Sequence, residues 1–234
     1  MALRIFETDP DAMPKPRQTF ANDVVGRFRS GKTEGNRPVS LADWRVTTGD
    51  PKVAEAIAGM LGGHPDEWET TREDAIEVLT NSDTVDIVID NSDADAPAVT
   101  SKMVLWGMGG VKIHECDGVE FLSPDERKGQ PCGCPALLAD RKAAAKAGHG
   151  PKPEVSVKFK LADDPDLGYF RFQSSSWDLV RVLHELENAL DAVGGPARAS
   201  LSLELVEFVP KGGPMKGRTV SYRKPVVKVF GPAE

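Results

Sequence analysis

The clearest pattern of apolar and polar positions in the chain runs from Val155 to Leu161. Apolar residues there alternate strictly with polar ones such as Lys158 and Lys160, which predicts a strand that is buried on one side. Residues 169–173 are predicted to form a strand that pairs with it. Shorter apolar runs predict the remaining strands at residues 39–48, 76–80, 84–90, 102–106, 111–116, 199–209 and 219–230.

Helical spacing of apolar residues is found in two segments. Asp50, followed by proline, provides an N-cap for a helix that ends before Gly62. The serine pair before Trp177 caps a second helix that runs to Val193. A third helix is predicted at residues 135–146 from propensity. Runs of strands interrupted by single helices predict an α+β fold with a mostly antiparallel sheet and a few helices.

The chain is predicted to divide into two parts. Residues 1–38 contain four prolines that break any long element, and are predicted to be an extended N-terminal arm. Residues 39–234 are predicted to form the α+β domain, with a metal-binding insertion at about residues 107–150.

The charge and the apolar content of the chain argue against direct DNA binding and against a membrane location. The formal net charge is −7, and no basic stripe is evident along the chain. Because binding naked DNA requires a surplus of positive charge on one face, the sequence predicts little direct DNA binding. It has no apolar run of membrane-spanning length, no signal-peptide pattern and no even set of cysteines for disulfides. We therefore expect a cytoplasmic protein without membrane contact.

The candidate chemistry of the chain is a metal site. Cys116, Cys132 and Cys134 are its only cysteines, and His114 lies two residues before the first of them. Three thiolates and one imidazole make a complete tetrahedral set for structural Zn²⁺, and Gly133 permits a tight turn between the last two thiols. The simpler alternative is three unrelated buried thiols, but the intervening loop is polar and rich in Gly and Pro. The sequence therefore predicts a zinc-stapled loop.

The fourth ligand of this predicted site has two candidates. His114 and Cys116 would point to the same face of a strand, which favours His114. His149, which lies between two glycines, is the alternative. Glu115 is interpreted as a solvated strand residue and not as a general base, since a catalytic zinc must keep an open coordination position.

Residues from Gly26 to Thr33 match the P-loop pattern G-x4-G-K-[ST]. A functional P-loop requires a strand before it and a helix after it, so that the helix N-terminus faces the phosphates. Gly35, Asn36 and Pro38 prevent a helix at that place, and residues 20–25 make a poor central strand. We interpret the match as accidental and do not expect the protein to be an NTPase.

Seven phrases spread along the chain carry a resemblance to a known family. They are Val25–Gly31, Trp44–Pro51, Cys116–Glu120, Cys132–Pro135, Gly150–Pro153, Leu201–Phe208 and Ser221–Pro225. Together they resemble the recombination directionality factors that accompany large serine integrases in phages of Streptomyces and related actinobacteria.

The resemblance implies a non-enzymatic regulator in the cytoplasm of a bacterial host cell. Such a factor binds a phage large serine integrase on its attachment-site DNA and switches it from integration to excision of the prophage. It thereby promotes recombination of attL with attR and inhibits that of attP with attB, mainly through contacts with protein. The alternative prediction is a zinc-containing phage replication or repair accessory protein that binds nucleic acid directly.

Overall fold

The computed structural model of the protein describes residues 24–35, 37–70, 72–93, 95–212 and 216–233. Within these residues there are twelve strands and three α-helices. The strands are β1 (Gly26–Glu34), β2 (Arg37–Thr48), β3 (Pro65–Glu67), β4 (Ile76–Leu79), β5 (Thr84–Ile89), β6 (Val99–Trp106), β7 (Lys112–Cys116), β8 (Phe121–Ser123), β9 (Lys152–Leu161), β10 (Tyr169–Ser174), β11 (Ala197–Phe208) and β12 (Val220–Pro232). The helices are α1 (Pro51–Leu61), α2 (Leu138–Lys146) and α3 (Trp177–Val193).

A single sheet joins all twelve strands of the described residues. Its main order is β12-β11-β5-β9-β10-β1-β2-β4-β3, and β6, β7 and β8 extend from the side of β9. Every pairing among these strands is antiparallel except that of β1 with β10, which is parallel. The predicted α+β fold with a mostly antiparallel sheet is therefore confirmed.

The core lies on one face of this sheet, and aromatic rings fill its centre. The ring of Phe28 on β1 meets those of Trp44, Phe159 and Phe170 at centroid distances of 5.8, 5.4 and 5.6 Å. All three pairs have the edge-to-face geometry that adds to the stabilisation from burial. The sheet curls, so that β11 and β12 approach β1 and β2 across the core. One face of the central strands is consequently apolar, and their other face is free for polar side chains.

The helices α1 and α3 begin and end where the sequence predicts. The Asp50 carboxylate accepts a hydrogen bond from the Lys52 N–H at 2.9 Å, and the Ser176 hydroxyl caps α3 in the same way. Gly194, with φ of 69°, ends α3 in the left-handed conformation. Among the described residues, no helix has the length and apolar character that crossing a membrane demands. The buried residues of the two helices are Val53, Ala54, Ile57, Leu179, Leu183, Leu186 and Leu190.

The structure differs from the prediction at the N-terminal side. Residues 26–34, expected to belong to an extended arm, form β1 in the middle of the sheet between β10 and β2. Phe28 is the only large apolar residue of β1, so the usual alternation was too weak to reveal a strand. Residues 1–23 of the predicted arm lie outside the described residues. The short strands β3 and β8 were not predicted either.

The P-loop-like segment, from Gly26 to Thr33, lies within β1. This strand continues through a turn into β2 and not into a helix. The backbone N–H groups of an extended strand bond to neighbouring strands, so they cannot form the cradle that a P-loop makes around phosphates. The geometry agrees with the interpretation of this match as accidental.

Candidate metal centre

The candidate metal centre is assembled by the strands that branch from the main sheet. β7, which pairs with β6 and β8, carries His114 and Cys116. Residues two apart on a strand share a face, so both side chains point to the same side of β7. The loop after β8 brings Cys132 and Cys134 to that side. All four residues predicted as first choices for the site are thus brought together.

The four potential ligand atoms form a tight group. The imidazole nitrogen and the three sulfur atoms all lie within 4.8 Å of one another. The Cys116 Sγ is 3.7 Å from the Cys134 Sγ, and the latter is 3.5 Å from Nε2 of His114. For a tetrahedral ion with metal–sulfur bonds of about 2.3 Å and metal–nitrogen bonds of about 2.0 Å, sulfur atoms lie about 3.8 Å apart, and sulfur and nitrogen about 3.5 Å apart. The cluster therefore has the dimensions to hold a metal ion.

The loop that carries the last two cysteines is fixed by its own backbone. Gly133 has a φ of 72°, which only glycine adopts without strain, and this turn separates Cys132 from Cys134. The Cys132 N–H donates to the Val119 carbonyl at 2.8 Å, and so ties the loop to the turn after β7. The expectation that Gly133 serves a tight turn between the two thiols is confirmed.

A clamp from α2 holds the same two segments together. The Arg141 guanidinium donates to the carbonyl of Gly118 at 2.8 Å and to that of Pro135 at 2.6 Å. One carbonyl lies just after the first cysteine and the other just after the last. Arg141 was not predicted to support the site, because nothing in the neighbouring sequence distinguishes it from an ordinary helix surface residue.

The burial of Glu115 differs from the prediction. It was interpreted as solvated, but only 7% of it is exposed. Its carboxylate accepts hydrogen bonds from Lys102 at 2.7 Å and Lys112 at 2.6 Å, and from the Ser123 hydroxyl. Burial would raise the pKa of Glu115, but these three hydrogen bonds and the charge of Lys102 outweigh it and lower the pKa to about 2. The carboxylate therefore remains ionised and links β6, β7 and β8 on the side away from the ligands.

The protonation of the candidate ligands depends on their burial. Burial, together with the nearby charge of Arg127, lowers the pKa of His114, so its imidazole is neutral at pH 7 and can donate a lone pair to a metal. Burial raises the pKa of Cys116 to about 12, and the neighbouring Cys134 adds to this effect. A divalent cation reverses the preference of the thiols, because it stabilises the thiolate directly.

The site is closed on its inner side by a small apolar cluster of Met103, Cys116, Phe121 and Cys132. The ring of Phe121 lies 4.7 Å from that of His114, which restricts the imidazole. His149, the alternative fourth ligand, is exposed after α2 and is not part of the group. If all four groups bound one ion, no coordination position would stay open, as in structural zinc sites.

Comparison with known protein families gives one match of nearly full length. The family model described as Gp3-like, recombination directionality factor-like, matches residues 25–228. The matched range starts just before β1 and ends within β12, so it includes the sheet, its helices and the candidate metal centre. No solved structure matches the chain.

Proposed function

The chain belongs to the Gp3-like, recombination directionality factor-like family, and on that premise we propose that it binds a phage large serine integrase and switches it from integration to excision. It promotes recombination of attL with attR and inhibits recombination of attP with attB. The integrase breaks and rejoins the DNA, and this protein supplies no chemistry of its own. The observation that carries the proposal is the family match over residues 25–228.

The proposal places a physical requirement on the protein. A partner can reverse the outcome of a reaction only if it binds two arrangements of the integrase with different affinity. A change from strongly one direction to strongly the other requires about 5 kcal/mol of differential binding. Several copies bound to one integrase tetramer could share this energy. Each copy needs a surface whose shape is fixed before binding.

The hairpin tip, residues 106–113 between β6 and β7, is the surface that we assign to the integrase. Its large apolar side chains are exposed, with Trp106 at 53%, Met108 at 97%, Val111 at 65% and Ile113 at 58%. Exposed apolar residues grouped in this way are typical of protein–protein contacts. The β7 strand of the tip also carries two of the candidate metal ligands. A metal ion there would hold the tip in one conformation relative to the sheet.

We propose that the ion is Zn²⁺ with a structural role. Cys116, Cys132 and Cys134 are soft thiolate ligands, and His114 completes a Cys3His set that zinc favours in closed tetrahedral sites. A bound zinc ion would crosslink the β7 strand to the loop after β8. The free energy of zinc binding would then stabilise the insertion, whose own apolar cluster is small.

The proposed function is tested with purified components. Addition of the protein to its cognate large serine integrase should start recombination of attL with attR and suppress that of attP with attB. The readout is the fraction of each substrate converted, with bovine serum albumin as the protein control. An integrase that binds this protein but keeps its direction would contradict the proposal.

Substitution of the hairpin tip should weaken the integrase complex. Replacing Met108 and Val111 together by serine removes exposed apolar contact area without touching a strand pairing, and we expect affinity to fall about tenfold to about a hundredfold. The matched control replaces Leu205 and Phe208, exposed on the β11–β12 hairpin, by serine. Calorimetric titration of integrase into each variant measures the two affinities. If only the control variant loses affinity, the tip is not the binding surface.

A further inference from the structure

The helix α2 is attached to the protein by little apolar contact. Of its nine residues, all of which the structure describes, only Ala145 is buried. Leu137, just before the helix, is 66% exposed, and Leu138 at its start belongs to neither apolar cluster of the described residues. In comparison, α1 buries three residues and α3 buries four. Burial therefore explains the positions of α1 and α3 but not that of α2.

The local features of α2 are also insufficient to keep it folded alone. Its N-cap residue, Leu137, has no side-chain acceptor, so no side chain caps the first turn. Isolated helices shorter than about 12–15 residues are marginal in water even when they are rich in alanine. With nine residues, α2 is below this length. The helix must therefore be stabilised by contacts with the rest of the protein.

The strongest of these contacts lead to the candidate metal centre. The Arg141 guanidinium donates to the Gly118 carbonyl at 2.8 Å and to the Pro135 carbonyl at 2.6 Å. These carbonyls belong to two separate segments, one after Cys116 and the other after Cys134. One guanidinium reaches both carbonyls only while the two segments lie side by side. Because Cys116 and Cys134 both belong to the candidate ligand group, a bound ion would keep the segments in that arrangement.

Gly118 shows how closely Arg141 approaches the turn after β7. Gly118 has a φ of 104°, and a Cβ atom in its place would lie 2.5 Å from Nη1 of Arg141. The guanidinium therefore packs directly against the backbone of this turn. Hydrogen bonds from a charged donor are stronger than those from a neutral one. The two bonds from Arg141 therefore outweigh the burial of a single alanine in holding α2.

A second contact joins α2 to α3. The amino group of Lys142 lies 5.9 Å from the centre of the Trp177 ring. Trp177 is the first residue of α3, and it packs against the small apolar cluster of the metal centre, as Cys134 does. The buried leucines of α3 lie in the main core. The helix α2 consequently connects the ligand loop to a helix that is anchored in the main core.

The end of α2 also forms a wall beside the hairpin tip. Ala145 lines a cavity of about 480 Å³ together with Val104, Trp106 and Pro153. Val104 and Pro153 are buried, whereas Trp106, the first residue of the tip, is exposed. Movement of α2 away from the sheet would remove this wall and expose Val104 and Pro153. The position of α2 thus determines the shape of the surface next to the tip.

We propose that α2 is a metal-dependent strap. While an ion occupies the candidate centre, the two ligand segments stay together and Arg141 fixes α2 across them. When the ion is removed, the segments separate, Arg141 loses one of its two carbonyls, and α2 detaches from the insertion. The surface beside the hairpin tip therefore depends on the metal. This inference rests on the metal centre of the proposed function and is independent of the integrase.

The test uses the full chain without integrase and measures hydrogen exchange by mass spectrometry. Zinc-loaded protein is compared with the same protein after chelation and after zinc is added back. Chelation should speed exchange of the amides of residues 141–146 at least about tenfold, because opening of α2 then no longer breaks the charge-assisted bonds of Arg141. Exchange in α1 should stay the same, since its buried residues lie in the main core. Added zinc should restore the protection of α2.

Substitution of Arg141 separates the strap from the ion. Arg141→Gln removes the clamp but none of the candidate ligands, and glutamine has a similar helix propensity. In zinc-loaded protein this variant should speed exchange of residues 141–146 at least about tenfold, while elemental analysis still finds one zinc per chain. The matched control is Lys146→Gln, which removes a positive charge from an exposed residue of the same helix. Its exchange should equal that of the unaltered protein.

The proposal has two parts that can fail separately. Equal protection of α2 in zinc-loaded and chelated protein, or a chain that takes up no zinc, would show that α2 does not respond to an ion. Unchanged protection in zinc-loaded Arg141→Gln, or the same loss in Lys146→Gln, would show that Arg141 is not the link. Any of these results overturns the strap. The recombination assay tests the proposed control of the integrase independently, because no integrase is present here.

Discussion

Replacing Cys132 by serine is expected to abolish metal binding and to lower the free energy of unfolding of residues 107–146 by several kcal/mol. A metal site of this kind need not exist in the unfolded chain, so the free energy of metal binding is free energy of folding. Elemental analysis should give one zinc per chain for the unaltered protein and none for Cys132→Ser. Hydrogen exchange should locate the lost protection in the insertion, with the main sheet retained, because the two have separate apolar clusters.

Histidine variants provide the controls for this result. His114→Ala should lose the zinc as Cys132→Ser does, since its Nε2 lies within the ligand group. His149→Ala and His184→Ala should keep one zinc per chain, because both residues are exposed and neither belongs to the group. Metal-free unaltered protein that retains full activity, or loss of zinc in His149→Ala alone, would refute the assignment of the four ligands.

The substitution Asp74→Asn should lower the free energy of unfolding by about 3 kcal/mol at pH 7. The Asp74 side chain is 5% exposed and accepts hydrogen bonds from Arg29 at 2.6 Å and Thr47 at 2.7 Å. Asparagine keeps the shape and one acceptor but removes the negative charge between Arg27 and Arg29. The guanidinium groups of these two arginines would then lose the negative charge of this buried carboxylate. Urea unfolding followed by circular dichroism measures the change.

The pH dependence of the difference in unfolding free energy between the unaltered protein and Asp74→Asn gives an independent check. Burial alone would raise the pKa of Asp74, but the hydrogen bonds from Thr47 and Arg29 and the charges of Arg29 and Arg27 prevail and lower it. A carboxylate with a lowered pKa in the folded state stabilises the fold above its unfolded pKa of about 3.9, and this contribution is lost as the pH falls below that value. The difference in unfolding free energy between the two proteins should therefore be constant from about pH 5 to about pH 7 and shrink below about pH 4. A difference that stays constant below about pH 4 would exclude the charge of Asp74 as its cause.

The elements that the sequence predicted correctly are those with a strong local signal. Strand β9 alternates apolar and polar residues over its whole length, and its buried residues are the apolar ones. Helices α1 and α3 have capping residues at their starts and glycines after their ends. β1 has no such signal: a single phenylalanine is buried on one side, and its other positions are charged, small or polar. Its place in the sheet is fixed by pairing with β10 and β2, which lie far away in the chain or across a turn.

The candidate metal centre was accessible from the sequence for a similar reason. Cysteine spacing, a glycine between the last two cysteines and a histidine two residues before the first are all local features. The residues that support the candidate ligands cannot be recognised from local sequence features. Arg141 reaches the carbonyl of Gly118 from a helix more than twenty residues later, and Glu115 is buried because lysines from β6 and β7 surround it. Such contacts depend on how the strands of the insertion pair.

By itself the sequence predicted the three candidate cysteine ligands with two choices for the fourth, and it determined two helices, most strands and, through its resemblance, the family. These follow from neighbouring residues, whose spacing carries the periodicity of strands and helices and the geometry of metal ligands. Only the tertiary structure decided where the charge lies. The net charge of −7 indicates an acidic protein, yet strand pairing places Arg27, Arg171 and Lys158 directly opposite one another on β1, β10 and β9. Charges that alternate along each strand with buried residues form a continuous surface only when the strands lie side by side, and no linear pattern records that order.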